Sequence, residues 1–98
     1  TETLLNPRII FEVLSKSTEA RDRGEKAEDY RRMPSLTDYL FVSQHKMLVE
    51  HYIRQEDSSW KLVEYREPDD QVRLASINCD LALSDIYRDV QLSQLRLV

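Results

Sequence analysis

Apolar positions fall in short runs, and the spacing within those runs changes along the chain. The first run, Arg8-Ile9-Ile10-Phe11-Glu12-Val13-Leu14, is rich in β-branched residues and is bounded by Asn6-Pro7 and Ser15. It predicts a strand over residues 8–14, buried on both faces. Glu12 interrupts it, and a carboxylate in a buried strand costs free energy unless it is paired or binds a metal. Ser15, Lys16, Ser17 and Thr18 then offer loop and helix-capping chemistry. From Thr18 to Met33 the period becomes helical, with Ala20, Ala27, Tyr30 and Met33 roughly on one face. Asp22 and Lys26 stand one turn apart with the acid first, as a solvent-facing pair would. Gly24 costs such a helix about 1 kcal/mol relative to alanine, which points to a close approach of its backbone to the sheet. Pro34 ends the helix.

Asp38-Tyr39-Leu40-Phe41-Val42-Ser43 is a second apolar strand. Strand, helix and strand predict a parallel βαβ unit with a right-handed crossover. Met47–Arg54 and Trp60–Arg66 are amphipathic runs joined by Gln55-Glu56-Asp57-Ser58-Ser59, which predicts a hairpin with a five-residue loop. Glu67-Pro68-Asp69-Asp70 reads as a turn and Val72–Leu74 as a short strand. Asn78–Leu83 is apolar, with no period to separate strand from helix, and Ser84–Tyr87 reads as a capped helical turn. The expectation is a single α+β domain over residues 1–98: one crossover helix against a mixed sheet, extended by an antiparallel hairpin.

Composition narrows the function. A chain of 98 residues supports one modest core, burying roughly 65% of its unfolded surface. Its charged residues are 33% and its net charge is −4, so it carries no whole-chain signature of polyanion binding. No apolar run approaches the ~18 residues of a membrane span, and no secretory signal is expected near the start. The lone Cys79 cannot form an internal disulfide, which favours a reducing, cytoplasmic setting. Charge is uneven: residues 1–34 hold seven basic and seven acidic side chains, residues 35–98 seven and eleven. A nucleic-acid surface would therefore fall in the first third, where Arg21, Arg23, Arg31 and Arg32 supply part of a basic stripe. Glu19, Glu25, Glu28 and Asp29 interrupt it.

Most candidate chemistry has an ordinary structural reading. His45 and His51, with one cysteine in the chain, fall short of the about four ligands of structural zinc. His45 reads as a turn residue and His51 as a strand surface residue. Cys79 has no neighbouring base and reads as a small core residue. Ser15 and Ser17 follow a strand without Gly-x-Ser-x-Gly, so they read as caps. Tyr30, Tyr39, Tyr52, Tyr65 and Trp60 read as core and cross-strand aromatics. Glu12 and Lys26 remain. A carboxylate on a strand and an ammonium on the helix folded over it suit phosphodiester cleavage. The carboxylate holds Mg²⁺, and the ammonium stabilises developing charge or orients water. The same two residues also fit a structural role, with Glu12 in a core polar network and Lys26 paired with Asp22 in solvent, worth about 0.3–0.5 kcal/mol.

Several segments, taken together, point further. Asn6 to Ser15, Ser17-Thr18-Glu19, Asp22-Arg23-Gly24-Glu25-Lys26 and Tyr30 resemble a bacterial family of restriction endonucleases placed in the PD-(D/E)XK nuclease superfamily. Asp38–Ser43 and Ile77–Tyr87 resemble its C-terminal part, so the resemblance covers nearly all of the chain. It implies a restriction-endonuclease-like mixed sheet and a DNA endonuclease dependent on Mg²⁺ or Mn²⁺. Glu12 would be a metal ligand, supported by the Val13 carbonyl. Leu14 stands where the superfamily normally carries its lysine, and Lys26 takes over that role. The family's upstream Pro-Asp strand and earlier helical acid have no counterpart here, since Asn6-Pro7 is not that motif. The chain is thus expected to be the C-terminal portion of such a domain. The alternative is a non-catalytic member whose open edge along the Glu12 strand makes it a homo-oligomeric interaction module.

Overall fold

The computed structural model describes residues 6–17 and 19–88. Strand β1 (Ile9–Leu14) leads through helix α1 (Glu19–Arg31) to β2 (Asp38–Ser43), followed by β3 (Val49–Arg54) and β4 (Trp60–Tyr65). These four strands form one sheet in the order β1-β2-β3-β4. β1 and β2 run parallel, as the intervening helix requires, and the other pairs are antiparallel. The β3–β4 hairpin closes with Arg54 opposite Trp60, leaving the five-residue loop that the sequence predicts. Ser58 takes a left-handed φ of 71° there, and Asp57 accepts from the Ser59 backbone N–H at 3.0 Å.

The ambiguous segment at 78–83 resolves as a strand. β5 (Gln71–Leu74), a short 3-10 turn at Ala75–Ile77 and β6 (Cys79–Ala82) make a separate two-stranded antiparallel sheet. Residues 83–88 are helical. The Tyr87 hydroxyl ties this segment to the β2–β3 connection, accepting from the Leu48 N–H at 2.9 Å and lying 2.7 Å from the Ser43 carbonyl.

Two apolar layers sandwich the main sheet. On the α1 side, Leu14, Tyr30, Leu36, Tyr39 and Phe41 are buried, with Ile10, Ala27, Met33, Tyr52 and Trp60 packed against them. On the opposite side Leu40, Val42 and Val49 meet Val72, Leu74, Leu83, Ile86 and Tyr87. β2 lies between the layers and is buried at all six positions.

Four local expectations are corrected. The strand buried on both faces is β2, not β1: β1 is the end strand among the described residues, and its Phe11 and Val13 are 41% and 39% exposed. The sheet-facing stripe of α1 keeps Ala27 and Tyr30 of the expected face, with Met33 just beyond the helix, but not Ala20. Ala20 is exposed, while Glu19, Asp22, Arg23, Lys26, Ala27 and Tyr30 are covered wholly or in part. Asp22 and Lys26 do not form the expected pair, since Lys26 turns to Glu12 and Asp22 lies 3.9 Å from Arg21. Gly24 makes no close approach to the sheet, because a Cβ there would meet nothing within 4 Å. Gly24→Ala is therefore expected to stabilise the protein by about 0.5–1 kcal/mol. In a domain of this size that raises Tm by about 2–8 °C, read by thermal denaturation. An unchanged or lower Tm would show that position 24 is constrained in a way the helix geometry does not reveal.

Candidate active site under helix α1

Strand alternation decides which β1 side chains meet the helix. Ile10, Glu12 and Leu14 point to the α1 side, with Ile10 and Leu14 in its apolar layer. Glu12 thus lies under α1 between two apolar neighbours on its own strand. Two helix residues one turn apart converge on it. The Tyr30 hydroxyl donates to Glu12 Oε1 at 2.5 Å, and Lys26 Nζ lies 4.0 Å from the same oxygen. The Glu12 side chain is 28% exposed and that of Lys26 43%, so the carboxylate sits at a rim that solvent reaches.

Tyr30 is held by its ring. Its centroid lies 5.6 Å from that of Tyr39 and 6.4 Å from that of Phe41. Burial first, and then the hydrogen bond to Glu12, push the Tyr30 phenol far above its ordinary range. It therefore remains a protonated donor across the neutral range.

A second polar set lies beside the first. Glu12 pairs in register with Phe41, and Phe41 with Glu50, so the two carboxylates share one row of the sheet with a phenyl ring between them. Arg23 Nε donates to Glu50 at 2.9 Å while its Nη2 donates to Glu19 at 2.7 Å, and His45 Nε2 lies 3.8 Å from Glu19. One helix face thus sets Arg23 over one carboxylate of the row and Lys26 with Tyr30 over the other. This is why the covered stripe of α1 is polar at its N-terminal end.

Two of the four arginines considered as a basic stripe, Arg23 and Arg31, are engaged within the fold, while Arg21 and Arg32 stay exposed. Arg23 is engaged by Glu19 and Glu50. Arg31 donates to the Tyr39 hydroxyl at 2.7 Å and lies over the Tyr52 ring at 5.5 Å. The expected aromatic core does form, with Tyr39 stacked on Tyr52 at 4.6 Å and Trp60 5.0 Å from Tyr39. Cys79 packs half-buried against the core, and His45 lies in the exposed β2–β3 turn, both as expected. Ser15 and Ser17, expected as caps, bring their hydroxyls within 3.4 Å of each other, and Thr18, the last residue of that capping segment, lies outside the described residues.

His51 is a correction. It is fully buried rather than on the strand surface, with Nε2 2.6 Å from Asp38 Oδ2. Asp38 Oδ1 also accepts from Thr37 Oγ1 at 2.6 Å. The register explains it. His51 stands opposite Leu40, on the face covered by β5 and β6, and a buried imidazole is stable there because a buried carboxylate meets it.

For a metal, Glu12 is the candidate ligand that the sequence singles out. Among the described residues no group of three or more His, Cys, Asp or Glu side chains could hold an ion. Mg²⁺ is usually bound by one or two carboxylates together with water and substrate phosphate. A rim carboxylate such as Glu12 fits one corner of that arrangement.

Comparison with known proteins gives the fold a family. The Uma2 family model, described as "Putative restriction endonuclease", matches residues 1–85. The chain belongs to the Uma2 family. Among curated relatives, the uncharacterized protein slr1290 of Synechocystis sp. (strain ATCC 27184 / PCC 6803 / Kazusa) is 39% identical over 88 residues, 90% of this chain and 46% of its own. The uncharacterized protein sll1609 of the same organism is 42% identical over 59 residues, 60% of this chain and 33% of its own. The chain thus spans less than half the length of either relative. The crystal structure of a putative nuclease belonging to DUF820 from Anabaena variabilis ATCC 29413 matches with a TM-score of 0.67 at 17% identity. That match covers 89% of this chain and 47% of the other, and it shows that the Uma2 chain shares the fold of that protein.

Proposed function

We propose that this Uma2 chain is the C-terminal portion of a nuclease domain that hydrolyses DNA phosphodiesters with Mg²⁺ or Mn²⁺. Glu12 is the metal ligand and Lys26 the assisting ammonium. The observation that carries the reading is the convergence of Lys26 and Tyr30, from one helix, on a single oxygen of a solvent-reached carboxylate in β1. When bound, the ion polarises the phosphate and lowers the pKa of a coordinated water. Glu12 presents its carboxylate to that ion, and the Val13 carbonyl is the backbone group that adds a ligand. Lys26 Nζ, at 4.0 Å from Oε1, is held by charge rather than by a close hydrogen bond, and its side chain is 43% exposed. It is free to turn toward a phosphate oxygen and stabilise the charge that develops there. No further ligand is assigned among the described residues. Among those residues no helix is long and apolar enough to cross a membrane, and the single cysteine suits a cytoplasmic setting. The test is nicking of supercoiled plasmid in Mn²⁺ by the wild type, Glu12→Gln and Lys26→Met. Variants that cut at the wild-type rate would remove both residues from the reaction.

A second reading is favoured by a different observation. β1 ends the sheet among the described residues, with Phe11 41% and Val13 39% exposed on the face away from α1. An edge strand with apolar side chains is a template for pairing. The reading is a homo-oligomer in which β1 pairs with β1 of a second copy. Light scattering is expected to give a dimer, and Val13→Lys to give a monomer. A wild-type protein that stays monomeric well above micromolar concentration rejects this reading.

A further inference from the structure

We infer that Tyr30 is the positioning residue of the Glu12 carboxylate, anchoring Oε1 so that Oε2 is presented to a divalent cation. The inference rests on the reading of Glu12 as a cation ligand and adds the group that aims it. A glutamate side chain turns about three torsions, so a carboxylate at a rim has no fixed direction of its own. Tyr30 supplies one. Its hydroxyl has a single proton and donates it to Oε1 at 2.5 Å, the length of a charge-assisted O–H···O⁻ hydrogen bond. The donor cannot easily follow a moving carboxylate. Tyr30 is 7% exposed, and its ring packs against Tyr39 and Phe41 of the sheet. Lys26 cannot serve as the anchor, because its ammonium is 4.0 Å away on a longer, more exposed side chain. The two helix residues therefore divide the work. Tyr30 fixes one carboxylate oxygen, and Lys26 provides a mobile positive charge on the same side.

A purely structural role for Tyr30 predicts something different. If the hydroxyl only makes a half-buried carboxylate tolerable, its loss lowers stability and leaves cation affinity untouched. Tyr30→Phe separates the two, since it removes one oxygen and keeps the ring packing. The probe is Mn²⁺, with the free ion followed by its electron paramagnetic resonance signal. Each variant is first shown to be folded by circular dichroism. The wild type is expected to bind Mn²⁺, Glu12→Gln to lose the site, and folded Tyr30→Phe to bind about tenfold or more weakly, as loss of a group that orients a metal ligand does. Should Tyr30→Phe not fold, the Tyr30→Phe variant in the Gly24→Ala background replaces it. Folded Tyr30→Phe with wild-type Mn²⁺ affinity, while Glu12→Gln loses the site, overturns the role of Tyr30 and leaves Glu12 as the ligand. Wild-type affinity in Glu12→Gln, or no binding by the wild type, overturns the reading of Glu12 and this inference with it.

Discussion

Replacing His51 with leucine is expected to remove about 3–5 kcal/mol of stability, a large part of what a small domain has. The volume is nearly kept, so the loss does not come from a cavity. It comes from Asp38, which is 3% exposed and accepts from His51 Nε2 and Thr37 Oγ1, each at 2.6 Å. Without the imidazole a buried carboxylate keeps one neutral donor, and breaking a buried pair by removing one partner is far more damaging than never having it. The double variant His51→Leu, Asp38→Leu tests that explanation directly. With both polar groups gone, the site becomes apolar beneath β5 and β6, and much of the loss should return. Urea denaturation of both single variants and the double variant gives the coupling. A His51→Leu variant within about 1 kcal/mol of wild type would mean the pair is not the strongly coupled unit its geometry indicates.

That pair also shows where sequence reading reaches its limit. The strand at 9–14, the helix that follows it, the buried strand at 38–43 and the hairpin were all legible, because each announces itself through a local period or a turn. Its neighbours in sequence say nothing of what covers His51. Its partner is thirteen positions away on another strand, and the lid over both is the β5–β6 sheet, whose second strand lay in the run the periodicity left undecided. The same reason explains the misread first turns of α1. Ala20 looks like part of the buried stripe on a helical projection, but only Ala27, Tyr30 and Met33 reach the core. The sheet beneath the first turns of α1 carries Glu12 and Glu50, so the helix turns Arg23 and Lys26 inward instead.

For the candidate site, Glu12 was visible because a carboxylate interrupts an apolar run. Lys26 was visible as an ammonium on the helix folded over that strand, and the family resemblance then gave it the assisting role. Tyr30 was read as a core aromatic, and its ring is one, but the hydroxyl on Glu12 was missed. The available signal was its spacing of one helical turn from Lys26, which places both side chains on the same face. A tyrosine one turn from a candidate lysine merits reading for its oxygen as well as its ring.

The largest expected effect is the loss of DNA cleavage in Glu12→Gln. The substitution keeps the size of the side chain and an oxygen that can accept from Tyr30, so the fold and the 2.5 Å contact have every reason to persist. What disappears is the negative charge that would hold the cation. Nicking of supercoiled plasmid in Mg²⁺ or Mn²⁺ should fall at least about 100-fold, the scale set by removing one preorganised electrostatic group from a reaction centre. Lys26→Met removes the ammonium at similar length and should fall comparably, whereas Glu25→Ala, on the exposed side of α1, should cut as the wild type does. The pair is informative because the two variants differ before chemistry. Glu12→Gln should lose Mn²⁺ binding, whereas Lys26→Met should bind Mn²⁺ at least as well, since a competing cation 4.0 Å from the carboxylate is gone. A Lys26→Met protein that binds the ion but does not cut would separate holding the metal from assisting the reaction. Full cutting by either variant, or none by the wild type with either ion, would remove the endonuclease assignment from Glu12 and Lys26 and leave their contact as a structural one.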